Sequence, residues 1–282
     1  MKSQQEWSTF AADYRLGESP LRACRNVWQD LSGHSWQIWM IFRSGFSATF
    51  RKTALGLVWG LIMPLVPLFA FFALTLLRVF PAHELIHPLS YMATGVTLWL
   101  FFLGLMTAPG RAVTTRASVL KHSDFPLIGE FMASYGTQCF ELLVRMLVIL
   151  PVLLIYSDLN AKALLTGVAC LVPATAFCVS MGIIIGLAGI AIPDSRNVIE
   201  IVLRYLVFVS FAIFPLPLSG IGGWLYALNP VAIFIDNIRS AVILGDLSTP
   251  LHFYVTSGFS VFLLLIVLHV YNMLERRVAG AL

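Results

Sequence analysis

The chain has 282 residues, of which 59% are hydrophobic and only 11% charged. Soluble domains run nearer roughly 25% charged, so this composition cannot cover a water-facing surface and excludes an ordinary soluble globule. The formal charge of +4 matters less than where the basic residues fall.

The first 33 residues are polar and charged, with no apolar stretch ahead of a small-residue cleavage site, so a cytoplasmic segment rather than a secretory signal is expected over 1–33. Residues 34–52 are rich in Trp and Phe and end on Arg51-Lys52. On a helix, Trp36, Trp39, Phe46 and Phe50 share one face, which predicts an amphipathic helix lying in the headgroup plane. Arg43 falls on that face and would have to snorkel. A cytoplasmic helix packed on the next domain fits the same pattern.

Residues 53–282 read as a six-helix transmembrane domain. The expected spans are 55–77, 91–108, 131–156, 163–192, 199–216 and 253–274, most of them near or above the roughly 20 residues that cross a ~30 Å hydrocarbon core. Pro109-Gly110 is expected to end the second and Pro193-Asp194 the fourth. The fold class is thus an all-α membrane protein of six transmembrane helices. Residues 219–242 are apolar but broken by Gly220, Gly222, Gly223 and Pro230. Irregular backbone at membrane depth survives only when buried in protein or lining a cavity, so short external re-entrant or gate helices are expected here.

Six spans put both termini on one side. Of the 18 Lys and Arg, thirteen fall on that side, three (Arg78, Lys162 and Arg239) on the other, and Arg145 and Arg204 inside spans. The positive-inside rule makes the basic side cytoplasmic.

His83-Glu84-Leu85-Ile86-His87 is a formal HExxH, which on a helix can hold zinc and supply a general base. An intramembrane zinc metalloprotease is therefore an alternative reading. The stretch is a short connection between Pro81 and Pro88, and proline disfavours helical geometry at the residue before it, so a polar loop is expected instead. Cys24, Cys139, Cys170 and Cys178 show no CxxC spacing, and no metal site is expected. Glu141 with Arg145, and Glu200 with Arg204, are i,i+4 pairs inside spans. Intramembrane charges face a bundle interior or a wet passage. The second pair reads as structural at a helix end; for the first, a structural pair and a polar passage both stay open. No P-loop motif occurs, so ATP is not expected to bind this chain, which is read as no enzyme.

The run Phe50-Arg51-Lys52-Thr53-Ala54-Leu55-Gly56-Leu57-Val58-Trp59 with Pro64, the stretch Gly95 to Phe102 containing Trp99, Lys121 to Phe125-Pro126, and Leu228-Asn229-Pro230 followed by Arg239 and Gly245 occur in order. Together they resemble the ABC-2-type polysaccharide export permeases. The resemblance implies a homodimer in the bacterial inner membrane, paired with two copies of a cytoplasmic ATPase that binds ATP and Mg. The implied substrate is a lipid-linked capsule, O-antigen or teichoic-acid type glycan, in contact with membrane lipid and with no nucleic acid. It also implies that Arg111, Arg116, Lys121, His122 and Asp124 couple to the ATPase, and that Trp36 to Lys52 form the interfacial helix. Trp224, Asn229, Pro230 and Arg239 would belong to an external gate, and Glu141, Arg145, Arg204, Phe208 and Phe211 to the channel. Pro193-Asp194-Ser195-Arg196-Asn197 stands nearer capsule exporters, whereas Phe125-Pro126 stands nearer the O-antigen branch. An ABC-2 exporter of a drug or small lipid would share this architecture.

Overall fold

The computed structural model describes residues 19–51, 85–121, 125–157, 159–215 and 220–281, with isolated positions between 62 and 83. Every regular element among them is a helix. In chain order these are α1 (Pro20–Gly33), α2 (Ser35–Arg51), α3 (Pro88–Lys121), α4 (Leu127–Tyr156) and α5 (Ala161–Ala191). Then follow α6 (Pro193–Tyr205), a 3-10 turn (Leu206–Val209), α7 (Ile221–Leu228), α8 (Pro230–Ile243) and α9 (Pro250–Ala281). Four stretches are long and apolar enough to cross a membrane: Pro88–Val113 of α3, α4, α5, and Pro250–Leu274 of α9. The chain is a helical membrane protein. Most of the expected span at 55–77 falls outside the described residues; the positions described between 62 and 76 are helical.

α3 is the central helix, buried along most of its apolar length and packed on α4, α5 and α8. Leu98, Phe101, Phe102 and Leu105 of α3 meet Phe131 of α4, Cys178 and Ile183 of α5, and Phe234 of α8 in one core. α4 and α9 turn most of their apolar surface outward, leaving side chains such as Leu143, Leu147, Leu154, Tyr254 and Phe262 exposed. Hydrocarbon is as apolar as leucine, so such faces carry no penalty in a bilayer.

The described helices depart from the expected spans in two places. α3 does not stop at Pro109-Gly110 but runs on to Lys121. Proline removes one helical N–H and disturbs the carbonyl four residues back, but packing can override this. Here α5 lies directly against the proline turn. A Cβ on Gly182 would come within 2.5 Å of the Leu105 carbonyl oxygen, and one on Gly186 within 3.0 Å of Pro109 Cβ. The basic segment 111–121 therefore continues the core helix and is not a loop.

The second departure is at 199–216, expected as one span. The α-helix ends at Tyr205, tightens into the 3-10 turn, and then bends at residues 210–214. The cause is tertiary. The Phe211 carbonyl accepts from Arg239 Nη2 at 2.7 Å and from the Tyr91 hydroxyl at 3.1 Å. Ser210 Oγ takes the Val207 carbonyl at 2.9 Å, and Phe211 itself has a φ of 57°. Carbonyls that a continuing helix would use for its own ladder are held by partners from α3 and α8.

These contacts also sort the bundle into two ends. At one, Arg111 pairs with Glu200, Arg196 Nη1 reaches the Gly110 carbonyl, His34 packs edge-on to Phe125, and the Tyr271 hydroxyl accepts from the Ile128 N–H. α1 docks at this end, with Val27 in the same cluster as Val267 and Tyr271. At the other end, Ser157 meets Ser90, and Tyr91 meets Phe211 and Arg239.

The short helices α7 and α8 are separated at Asn229. Its Oδ1 accepts from the Val231 and Ala232 N–H groups at 3.1 and 3.3 Å, while Nδ2 donates to the Val209 carbonyl at 3.3 Å. One side chain thus caps α8, with Pro230 pre-set at its first position, and ties that cap to the 3-10 turn. Asn229→Ala is expected to cost about 1–2 kcal/mol, the usual range for a lost N-cap. A denaturant midpoint in detergent equal to wild type would contradict this.

Candidate functional site

The most polar buried region lies where α3, the 210–214 bend, α7, α8 and the start of α9 converge. Arg239 sits at its centre with 0% relative exposure. Its Nη2 bridges the Phe211 and Ala212 carbonyls at 2.7 and 3.4 Å, and its guanidinium carbon lies 3.5 Å over the Tyr91 ring. Nη1 is 3.9 Å from Asp236 Oδ1, one helical turn away. Cation–π contact and charge-assisted bonds to carbonyls are strongest where water is excluded, so they offset much of the cost of burying the charge. Nε and Nη1 nevertheless have no hydrogen-bond partner among the described residues. Gly95 of α3 makes room for the arrangement, since a Cβ there would collide with the Ala212 carbonyl oxygen and with Arg239 Nη2.

A hydrogen-bonded network that includes the Asp236 carboxylate continues outward from this cation. Asn237 Nδ2 donates to Thr249 Oγ1 at 3.0 Å, and Thr249 and Tyr226 share a 2.6 Å hydroxyl contact. The Tyr226 hydroxyl donates to Asp236 Oδ2 at 3.2 Å. The Thr249 N–H closes the ring on Asn237 Oδ1 at 2.9 Å. With Thr249 donating to Tyr226, every group finds a partner without conflict. Burial, reinforced by Asp236, pushes the Tyr226 hydroxyl above the ordinary tyrosine range, so it remains a donor. This region holds three of the residues expected in a gate, Asn229, Pro230 and Arg239. The fourth, Trp224, stands beside it with 72% of its surface exposed.

The expected channel residues are not brought together. Glu141 and Arg145 form a 2.7 Å pair in the middle of α4, and Arg145 Nη1 is buried with no hydrogen-bond partner among the described residues. Glu200 is bound by Arg111 of α3 at 3.2 Å, so the expected Glu200–Arg204 pair does not form, and Arg204 is exposed near the end of α6. An ion pair as exposed as Arg111–Glu200 contributes little stability. Phe208 lies at the surface, whereas Phe211 turns inward, with its ring 5.1 Å from Tyr226.

On α2, Trp36, Trp39 and Arg43 are exposed on the side away from the bundle, while Phe42 packs on Gly136 of α4. Phe46, Phe50 and Arg51 belong to α2, and Arg116 and Lys121 to α3, with their side chains outside the described ones. Lys52, His122 and Asp124 lie outside the described residues altogether, as does Glu84. Residues 85–87 are not helical, so His83 and His87 do not share a helix face. Each Nδ1 accepts from the backbone N–H two residues on, and the rings stack on Tyr91 and Tyr156. No cluster of three His, Cys, Asp or Glu with metal-binding geometry occurs among the described residues.

Asn237 and Thr249 are site residues that motif reading passed over. Their only sequence signal is that they are polar residues flanking an otherwise apolar segment. No protein-family model matches this sequence, and no curated protein matches it either. Fold and site together define a helical transmembrane protein with a buried arginine anchor at one end of its bundle.

Proposed function

We propose that this chain is the permease subunit of an ATP-driven exporter that moves a lipid-linked surface polysaccharide, of capsule or O-antigen type, out across the bacterial inner membrane. The observation that carries the reading is the polarity of the bundle. One end bears the basic helical extension 111–121, α1 and the end of α9; the other bears the hydrogen-bonded pair α7–α8. A motor that hydrolyses ATP in the cytoplasm must push on something stiff, and a continuous helix that enters the core transmits a push better than a loop. The basic end is cytoplasmic, in keeping with the positive-inside rule.

In this reading the protein works as a homodimer of six-span subunits with two ATPase copies. The side chains Val198, Ile201, Val202 and Tyr205, exposed on α6, suit contact with lipid or a second copy. α2 lies at the membrane surface through Trp36 and Trp39. Arg111, Arg116, Lys121, His122 and Asp124 meet the ATPase. α7 and α8 form the outer gate, anchored by Asn229 and Arg239.

Affinity purification from the native membrane in mild detergent, followed by mass spectrometry, tests the reading. A stoichiometric ATPase with Walker motifs is expected in the eluate. Its reproducible absence from intact protein would end the exporter reading. Arg116→Glu combined with Lys121→Glu is expected to lose at least tenfold of the co-purified ATPase while the permease stays folded. Undiminished recovery would remove the coupling role. Loss of surface glycan on gene deletion separates a polysaccharide cargo from a drug or small lipid.

A further inference from the structure

Beside the buried network is a cleft of about 440 Å³, within the roughly 300–1,000 Å³ of small-molecule sites. Among the described residues it is lined by Gly220, Gly223, Trp224, Tyr226, Ala227, Thr249 and His252. Its wall is aromatic. Trp224 is largely exposed, and His252 stands edge-on to the Tyr226 ring at 6.0 Å. Its floor is hydrogen-bonding but neutral, made by the Tyr226 and Thr249 hydroxyls, which Asn237 and Asp236 hold in place from behind. Gly220 enters α7 at a φ of 61°, and none of the described residues comes within 4 Å of where its Cβ would be.

The chemistry of these walls selects a ligand class. Among the described residues no Lys, Arg, Asp or Glu lines the cleft, so none of them would hold a phosphate or carboxylate by charge. An acyl chain would bury the Tyr226 and Thr249 hydroxyls and the His252 ring against hydrocarbon, and polar groups buried in that way are costly. A ligand with one apolar face and a rim of neutral donors and acceptors satisfies both surfaces. A sugar ring is such a ligand: its axial C–H groups pack on the negative face of an indole, and its hydroxyls meet hydroxyl and imidazole groups.

We infer that the Trp224–Tyr226–Thr249–His252 cleft binds one neutral saccharide unit. The inference deepens the export reading, and it rests on that reading only for the reason a glycan reaches this end of the bundle. Trp224 supplies the stacking plane, His252 and Thr249 the hydroxyl contacts, and Asp236 and Asn237 act as positioning residues through Tyr226 and Thr249.

Saturation-transfer NMR on the full-length protein in lipid nanodiscs tests it, with methyl glucoside and N-acetylglucosamine as probes and glucuronic acid as the charged comparison. Saturable transfer from at least one neutral probe is expected, strongest at ring C–H protons. Its affinity should fall about tenfold in Trp224→Ala and in His252→Ala, and recover most of the loss in Trp224→Phe. Both side chains are exposed, and an unchanged unfolding midpoint confirms that the variants fold. Absence of transfer from both neutral probes, or affinity unaltered in both alanine variants, overturns the assignment. Site-dependent sugar binding without a co-purifying ATPase would keep the cleft and remove the exporter; an ATPase without sugar binding would remove the cleft alone.

Discussion

Arg239→Met is expected to destabilise the protein by about 3 kcal/mol, the scale for removing one partner from a buried charged arrangement. Methionine fills much of the volume, so a cavity is not the main loss. What is lost is the donor that holds the Phe211 and Ala212 carbonyls and the cation over Tyr91. With the Ala212 carbonyl unpaired and the Phe211 carbonyl left to the Tyr91 hydroxyl alone, the bend after the 3-10 turn loses much of what keeps Phe211 at a φ of 57°. Asp236→Asn should cost far less, about 1 kcal/mol or below. The Asp236–Arg239 separation is 3.9 Å with Asp236 partly exposed, and an asparagine oxygen still accepts from Tyr226. Denaturant midpoints of the two variants in one detergent decide the matter. Equal losses would mean that the ion pair, not the carbonyl bridge, anchors α8.

Gly95→Ala is the second large effect, opposite in sign to what helix propensity predicts. Alanine in a helix interior is favoured over glycine by about 1 kcal/mol. At Gly95, however, the new methyl meets a backbone oxygen, which cannot rotate away, and the Arg239 guanidinium. Overpacking of this kind costs about 1–3 kcal/mol, so after the propensity gain the net change should be a loss of up to about 2 kcal/mol. Gly258 of α9 is the control, because nothing lies within 4 Å of its added Cβ. Gly258→Ala should be neutral or stabilising by a few tenths of a kcal/mol. A stabilised Gly95→Ala would show that α3 and the 211–212 backbone are not in contact. Combined with Arg239→Met, the Gly95→Ala loss should shrink, because the two changes share one contact and need not add.

In the exporter reading proposed above, the buried Arg239 anchor and the exposed Trp224 would serve as the fixed and the contacting parts of an exit gate. The Arg239 bridge fixes α8 to the core, whereas α7 carries Trp224 outward and joins α8 through the Asn229 cap, the Tyr226 network and the cluster of Tyr226 with Ala232 and Ile233. If α7 swings during export, Asn229 is where the backbone would turn, and the Tyr226–Asp236 and Tyr226–Thr249 bonds are those it would break.

Sequence by itself determined the class of the molecule and most of its long helices. Residues 91–108, 131–156, 163–191 and 253–274 lie within helices because burying apolar side chains in hydrocarbon and satisfying every backbone group internally are demands each segment meets alone. The same holds for the break at Asn229-Pro230, where a cap and a proline act over three residues. What only the tertiary structure decided are features whose partners lie far along the chain. Segment 199–216 is as apolar as its neighbours, yet its carbonyls are taken by Tyr91 and Arg239, 120 and 28 residues from Phe211. Pro109 stays inside α3 because Gly182 and Gly186 of α5 let that helix close on it. Glu200 has a good partner four residues away in Arg204 and pairs instead with Arg111, 89 positions back. Local pattern states which groups need a partner; only the packed bundle determines which partner is within reach.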